Sequence, residues 1–323
     1  MTTNSLSDTF GRAHNYLRIS LTDACNLRCL YCMPDEKVIS TPAPKLMQAD
    51  EIEGIARVFQ SLGVNKIRLT GGEPLVRKDA ADIMKRLSNL PVELTISTNA
   101  VLVDRFIDCF KQSGIKSVNV SLDTLNAEEF FAITRRGDFK RIMENIDLLL
   151  AHQFKVKVNM VVMKGINENS VIDFVKWTRD NPLDIRFIEF MPFAGNAWER
   201  DKVFSYAEML ELISRDFEIV KLEDSHHDTA KKYQVSGYSG TFAFITTITE
   251  PFCGTCNRLR LTADGKMKNC LFSSTETDLL KPWRAGEDII PLILSSVKDK
   301  KQERGGRFDF ENIENRSMIR IGG

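Results

Sequence analysis

Short runs in which apolar and polar residues alternate recur through the first two thirds of the chain, and each is followed by a stretch with apolar residues three or four apart. Alternation at period two predicts half-buried strands, and the wider spacing predicts amphipathic helices. On this reading the strands are Tyr16 to Leu21, Lys66 to Thr70, Glu93 to Ile96, Ser117 to Val120, Lys155 to Val161 and Asp184 to Phe190. The intervening helices cover Ala49 to Phe59, the surroundings of Ile83, Met84 and Leu87, those of Phe106, Ile107 and Phe110, then Ile142 to Leu150 and Val171 to Trp177.

Six repeated strand–helix units predict a parallel sheet with right-handed crossovers. The polar motifs choose among such sheets. The loop after the first strand, Gly71-Gly72, Ser97-Thr98-Asn99, Ser121-Leu122-Asp123 and Met191-Pro192 all fall just past the C-terminal end of a strand. Barrel enzymes build their sites on that rim from several strands at once, whereas an open sheet uses one switch point. Six units are too few for eight-fold closure, so the expected fold class is α/β, a partial six-unit β/α barrel of the TIM type with an open side. It is expected to span residues 10–195. From about Asn196 the alternation breaks down, and residues 196–323 read as a β-rich annex. There Asp264-Gly265 signals a hairpin; a two-residue turn would set Cys270 opposite Leu259, and a loop one residue longer would set it opposite Arg260.

Composition narrows the function classes. The 323 residues are 43% hydrophobic, enough for a sizeable core. Lys plus Arg equals Asp plus Glu at 44 each, so no global field recruits nucleic acid or an anionic membrane, and any anion site must be local. The polar start Met1 to Leu6 does not read as a secretory signal, and no run of roughly eighteen apolar residues occurs. A cytoplasmic protein with reduced thiols is expected. Seven cysteines, an odd number, also argue against a disulfide framework.

Six of those cysteines form two trios. Cys25, Cys29 and Cys32 lie in one short loop at C-x3-C-x2-C spacing, with Tyr31 before the last. Three thiolates can hold three corners of an iron–sulfur cubane and leave the fourth iron open, while a closed zinc site needs a fourth ligand that this loop lacks. Cys253 and Cys256, then Cys270 after thirteen intervening residues, form the second trio. Here a cluster and a zinc site completed by His226 or His227 both remain open. Arg258 and Arg260 stand two apart in a strand-like run, so both project from one face, where they could grip phosphate or simply face solvent. Cys109 reads as a small buried hydrophobe.

The first loop resembles the signature loop of the radical S-adenosylmethionine (SAM) superfamily. Together with Leu17 to Asp23, Met33-Pro34, Lys66 to Pro74, Cys256-Asn257-Arg258-Leu259-Arg260 and the terminal Ile321-Gly322-Gly323, the chain resembles, from about residue 10 to its end, the MoaA family of GTP 3',8-cyclases of molybdenum cofactor biosynthesis. The resemblance implies two 4Fe-4S clusters, one on Cys25, Cys29 and Cys32 where SAM chelates the open iron, the other on Cys253, Cys256 and Cys270 facing the guanine of GTP. By position it implies SAM contacts at Tyr31, Gly72, Ser121 and Met191. It likewise implies GTP contacts at Arg18, Arg68, Ser97, Lys157, Arg258, Leu259 and Arg260, and a catalytic tail at Gly322 and Gly323. Plainer roles exist for some: Ser121 as a helix cap, Met191 as core filler, the glycines as a flexible tail. Two departures from the family pattern stand out, namely Ser97 where threonine is common, and a lead-in Ala243 to Ile248 without the usual glycine and proline.

The implied chemistry is a lyase reaction. Reductive cleavage of SAM yields a 5'-deoxyadenosyl radical, which takes the 3' hydrogen of GTP, and the sugar radical closes onto C8 of guanine. The resemblance further implies an electron donor that the sequence does not identify, and a downstream cyclic pyranopterin monophosphate synthase. It leaves a homodimer open. The rivals are a radical SAM enzyme acting on a peptide and a metal-stapled binding module.

Overall fold

The computed structural model describes residues 6–33, 40–307 and 315–322; Pro34 and Gly323 lie outside them. Six strands follow the predicted alternation: β1 (Tyr16–Ser20), β2 (Lys66–Thr70), β3 (Glu93–Thr98), β4 (Ser117–Ser121), β5 (Lys155–Val162) and β6 (Asp184–Glu189). Between them run α1 (Ala49–Ser61), α2 (Ala80–Leu87), α3 (Ile107–Gln112), α4 (Ala127–Thr134), α5 (Phe139–Ala151) and α6 (Ser170–Trp177), and α7 (Tyr206–Asp216) follows β6. The rest adds β7 (Ile219–Lys221), β8 (Lys231–Val235), β9 (Thr241–Ile245), β10 (Arg258–Leu261), β11 (Lys266–Lys268) and β12 (Thr277–Asp278).

Among the described residues, these twelve strands join one sheet in the order β12-β11-β10-β1-β2-β3-β4-β5-β6-β9-β8-β7. The parallel run is longer than the six predicted units. β10 pairs in parallel with β1, and β9 with β6, so the C-terminal region contributes a parallel strand to each flank of the core. Antiparallel hairpins then end the sheet on both sides. This gives a mixed, unclosed α/β barrel with a C-terminal β-rich part.

Alternation along the strands sorts the two faces. Leu17, Ile19, Ile67, Leu69, Ile96, Val118, Val156, Val158, Phe187, Phe242 and Leu259 are buried against the helices in one continuous core. That apolar burial, at about 25 cal/mol per Å², is the main drive to fold. The opposite face, which in most barrels is packed with branched aliphatics, here carries arginine, lysine, serine and asparagine.

Two expectations need correcting. α4 lies between β4 and α5, where no helix is predicted; Asn126 caps it by accepting from the backbone N–H groups of Glu128 and Glu129 at 2.9 and 3.0 Å. In the hairpin, Arg260 pairs with Lys268 and Leu261 with Met267. Continuing that register sets Cys270 opposite Arg258, neither of the predicted partners. The cause is the turn: Thr262 and Lys266 close a three-residue loop in which Gly265 adopts φ +71°.

Candidate active site

Parallel pairing aligns the polar face into layers. Arg260, Arg18 and Arg68 share one level across β10, β1 and β2, and Arg258, Tyr16 and Lys66 share the next. Ser97, Asn119 and Lys157 align across β3, β4 and β5, and Ser121, Asn159 and Arg186 across β4, β5 and β6. These twelve side chains line one cavity of about 720 Å³. Lys66, Asn119, Asn159 and Arg186 were not among the predicted site residues, yet their signal was parity, since each stands an even number of residues from a predicted neighbour or its strand partner.

The cavity is built for negative charge. Arg68 donates to Ser97 Oγ at 3.4 Å, and Arg68 and Lys66 stand over the Tyr16 ring at 5.8 and 5.5 Å. Burial pushes Arg18 well down from its ordinary value, with Arg260 adding to the effect. Burial and Arg258 bring Arg260 down to about 10, and burial and Arg186 bring Lys157 down to about 8. Among the described residues, Arg18 Nε, Arg68 Nε, Asn119 Oδ1 and Asn159 Oδ1 are buried without a hydrogen-bond partner. Buried polar atoms are rarely left so unless a ligand completes them.

The first cysteine loop sits at one end of this cavity, with Cys25, Cys29, Tyr31 and Cys32 all lining it. The loop is tied to the C-terminus of α4, where Arg28 N donates to Thr134 O and Leu30 N to Ile133 O, each at 3.0 Å. Beside it Gly72 N donates to Thr22 O at 2.7 Å and Glu73 N to Ala24 O at 2.8 Å. A Cβ on Gly72 would stand 2.5 Å from Ala24 O, so only glycine lets the two backbones approach. The fully buried Glu73 carboxylate accepts from Asn99 N, Thr98 Oγ1 and Leu75 N at 2.7, 2.8 and 3.0 Å, and burial raises it to about 7. Asn99 Nδ2 reaches Asn26 Oδ1 at 2.7 Å and Cys25 Sγ at 3.8 Å. Asp123, raised by burial to about 6, accepts from Tyr31 OH at 2.8 Å. All three thiols are pushed up by burial, Cys25 to about 11.

Cys253, Cys256 and Cys270 line the same cavity from the other side, beside Arg258 and Arg260. Burial raises the Cys253 thiol, as at the first trio, but at Cys256 the neighbouring charges have the opposite sign. Burial alone would raise the Cys256 thiol, but the charges of Arg258 and Lys300 outweigh it and bring it to about 6. Cys253 Sγ accepts from Arg304 N at 3.4 Å, and the Arg258 guanidinium lies 4.8 Å from the Phe252 ring centroid. His227 Nδ1 lies 3.0 Å from Thr255 O. Among the described residues no three His, Cys, Asp or Glu side chains are grouped for a single metal ion. Within each trio the cysteines lie near enough to raise one another's thiols, and three thiolates with a fourth corner open suit an iron–sulfur cubane.

The remaining predicted residues are placed as follows. Met191 and Ser121 line the cavity. Leu259 does not, because its side chain points into the core on the far face of β10. The tail does reach inward. Gly322 is buried, its carbonyl accepts from Arg260 Nη1 at 2.5 Å, and a Cβ there would stand 2.8 Å from Ser20 Cβ and Thr70 Oγ1. Arg316 holds the tail by pairing with Asp264 at 2.8 Å and Glu276 at 2.6 Å.

Comparison with known proteins accords with this geometry. A family model for the radical SAM superfamily matches residues 19–178, and one described as Molybdenum Cofactor Synthesis C matches residues 183–305. The chain is 48% identical to molybdenum cofactor biosynthesis protein 1 of Mus musculus, over 98% of this chain and 51% of that protein. It is 47% identical to the mitochondrial GTP 3',8-cyclase of Arabidopsis thaliana, over 98% of this chain and 83% of that one. Identity to the GTP 3',8-cyclase of Peptoclostridium acidaminophilum is 42%, over 98% of both chains. The chain thus spans about half the length of the animal relatives and nearly all of the bacterial one. Among solved structures, Streptococcus suis SuiB bound to S-adenosylmethionine shares the fold, with a TM-score of 0.60 at 18% identity over 89% of this chain and 68% of that one. No helix among the described residues is long and apolar enough to cross a membrane.

Proposed function

We propose a GTP 3',8-cyclase activity for this chain, because the chain belongs to the GTP 3',8-cyclase family of radical SAM proteins. The reaction converts GTP to (8S)-3',8-cyclo-7,8-dihydroguanosine 5'-triphosphate, the first step of molybdenum cofactor biosynthesis, and classes the enzyme as a lyase. The observation that carries this reading is the single cavity lined by both cysteine trios and by the arginine and lysine layers between them.

Cys25, Cys29 and Cys32 would hold a 4Fe-4S cluster that binds SAM, and Cys253, Cys256 and Cys270 a second one. When bound, the first cluster and SAM supply the hydrogen-abstracting radical chemistry. The chain's own residues position the partners. Gly72 lets the second strand's backbone reach the SAM side, with Tyr31, Ser121 and Met191 flanking it. Tyr31 is aimed by Asp123, and the cysteine loop by the Glu73–Asn99 pair. Arg18, Arg68, Lys157 and Arg260, joined by Lys66 and Arg186, would clamp the triphosphate, since guanidinium forks match phosphate oxygens in pairs. Ser97 and the orphan asparagine oxygens would take ribose or base hydroxyl and amino groups. Arg258, and Leu259 through its backbone, would face the guanine end beside the second trio. Gly322 would act through its carbonyl on Arg260, fixing that guanidinium toward the substrate.

The division into a core over residues 10–195 and an annex over residues 196–323 is part of this reading, with β9 and β10 of the annex completing the core sheet. All seven cysteines are free, which supports a reducing compartment such as the cytoplasm. A separate electron donor and a downstream cyclic pyranopterin monophosphate synthase complete the reading. The test is anaerobic incubation of the reconstituted protein with dithionite, SAM and GTP. Formation of 5'-deoxyadenosine in step with loss of GTP is expected. Formation of 5'-deoxyadenosine that ignores GTP would overturn the reading.

A further inference from the structure

Behind the second cysteine trio lies a buried polar chain that takes no part in holding substrate. Lys300 is only 3% exposed, and its ammonium has three neighbours: Arg258 O at 3.0 Å, His14 Nδ1 at 3.5 Å and Cys256 Sγ at 3.6 Å. Three donors meet three acceptors, which accounts for every proton of a charged lysine. The rest of the chain supports that state. His14, 1% exposed, presents its other nitrogen to Asp8 Oδ2 at 3.1 Å; Nε2–H donating there leaves Nδ1 to accept from Lys300. Asp8 in turn takes Arg12 Nε at 2.5 Å, and Arg12 Nη1 donates to Cys253 O at 2.8 Å. The chain therefore touches the trio at two of its cysteines, at a sulfur and at a backbone carbonyl.

Burying an ammonium costs several kcal/mol unless it is fully paired. Here one of its partners is a thiolate ligand candidate, whereas the first trio has no lysine or arginine side chain on any sulfur among the described contacts and sits near Glu73 and Asp123. Charge and hydrogen bonds at the sulfurs are among the levers that set an iron–sulfur potential. We propose that Lys300 is a positioning residue for the second cluster, held by His14, Asp8 and Arg12, and that its charge at Cys256 raises the reduction potential of that cluster above the value the thiolates alone would give. The second cluster would then accept an electron under milder conditions than a neighbour lacking such a cation, so that over a window of potential the two clusters stand in different redox states.

This inference rests on reading the trio as a cluster site, and the experiment separates the two. Full-length protein carrying Cys25→Ala, Cys29→Ala and Cys32→Ala is reconstituted anaerobically, so that one cluster remains, and titrated with dithionite while the reduced-cluster EPR signal is followed. Lys300→Gln removes the charge but keeps a donor; Lys300→Met removes both. Both variants should hold iron and sulfide and show lower midpoint potentials, with Met shifted further than Gln. An unchanged potential in either variant that holds its cluster would overturn the role of Lys300, and so would loss of iron in both, which would make it a packing residue. Absence of an iron–sulfur signal in the triple-alanine protein with Lys300 intact would instead overturn the cluster reading itself.

Discussion

Arg18 of β1 and Arg260 of β10 stand at one level of adjacent parallel strands, like charges side by side in a buried layer with Arg68 on the other flank. Like charges so placed destabilise the ligand-free protein and become favourable only when an anion joins them. Arg18→Met is therefore expected to raise the Tm of the ligand-free protein by a few degrees. GTP binding should weaken about 10- to 100-fold, or roughly 1.4 to 3 kcal/mol. Differential scanning and titration calorimetry check the two signs; a lower Tm together with unchanged GTP affinity would show that the layer is structural.

Lys157 gives a pH dependence. Burial, then Arg186, depresses it to about 8. Between about 8 and its ordinary value the native chain binds fewer protons than the unfolded one, so its contribution to ligand-free stability rises as pH climbs through 8. Phosphate needs the charged form, so GTP affinity should fall over the same rise. Titration calorimetry from pH 7 to 9 should show that fall, and Lys157→Met should flatten it.

Much of this was legible in the sequence and some was not, for identifiable reasons. The six strand–helix units follow from alternation, and both cysteine trios fall where loops leave the C-terminal ends of strands or the annex. Arg18, Arg68 and Lys157 sit on the inner face because parity is local. Arg186 and Lys66 have the same parity, but the register that sets them beside Asn159 and Tyr16 is a long-range pairing. α4 escaped detection because Phe131, 59% exposed, breaks its apolar stripe, although Asn126 was available as a cap signal. The hairpin register turned on one extra residue in a loop. Lys300 lies in the charged run Lys298-Asp299-Lys300-Lys301, which reads as solvated surface.

Gly72→Ala tests the approach of β2 to the cysteine loop. The added methyl would meet backbone oxygens of Ala24 and Asp23 at 2.5 and 2.9 Å, which cannot swing aside as a side chain can. The loop must move, and the first trio with it. In protein whose Cys253, Cys256 and Cys270 are replaced by alanine, iron bound after reconstitution should fall severalfold relative to the glycine parent. Equal iron in both would show that the loop accommodates the methyl.

Glu189 joins the core to the second trio's approach. Its fully buried carboxylate accepts from Ile248 N at 2.8 Å, Thr249 N at 3.0 Å, Tyr206 N at 3.1 Å and the Thr249 hydroxyl. Glu189→Ala strands three backbone donors, so a loss of about 3 kcal/mol or more is expected by urea denaturation. A loss below about 1 kcal/mol would mean that water replaces the carboxylate.

The tail offers a division between binding and turnover. Arg316→Ala removes the pairs with Asp264 and Glu276 that hold residues 315–322. Gly322 should then leave Arg260, lowering kcat about tenfold while GTP affinity changes less than threefold. Steady-state kinetics beside equilibrium binding distinguishes this from a general loss of fold, in which both would fail.

With SAM at the first trio and GTP along the arginine layer of one cavity, the two would stand close enough for direct hydrogen transfer. The most direct measurement uses GTP deuterated at the ribose 3' position and mass analysis of the 5'-deoxyadenosine formed in a single turnover. One deuterium in the 5'-deoxyadenosine is the predicted result. Unlabelled 5'-deoxyadenosine, with the label kept on the nucleotide, would contradict it.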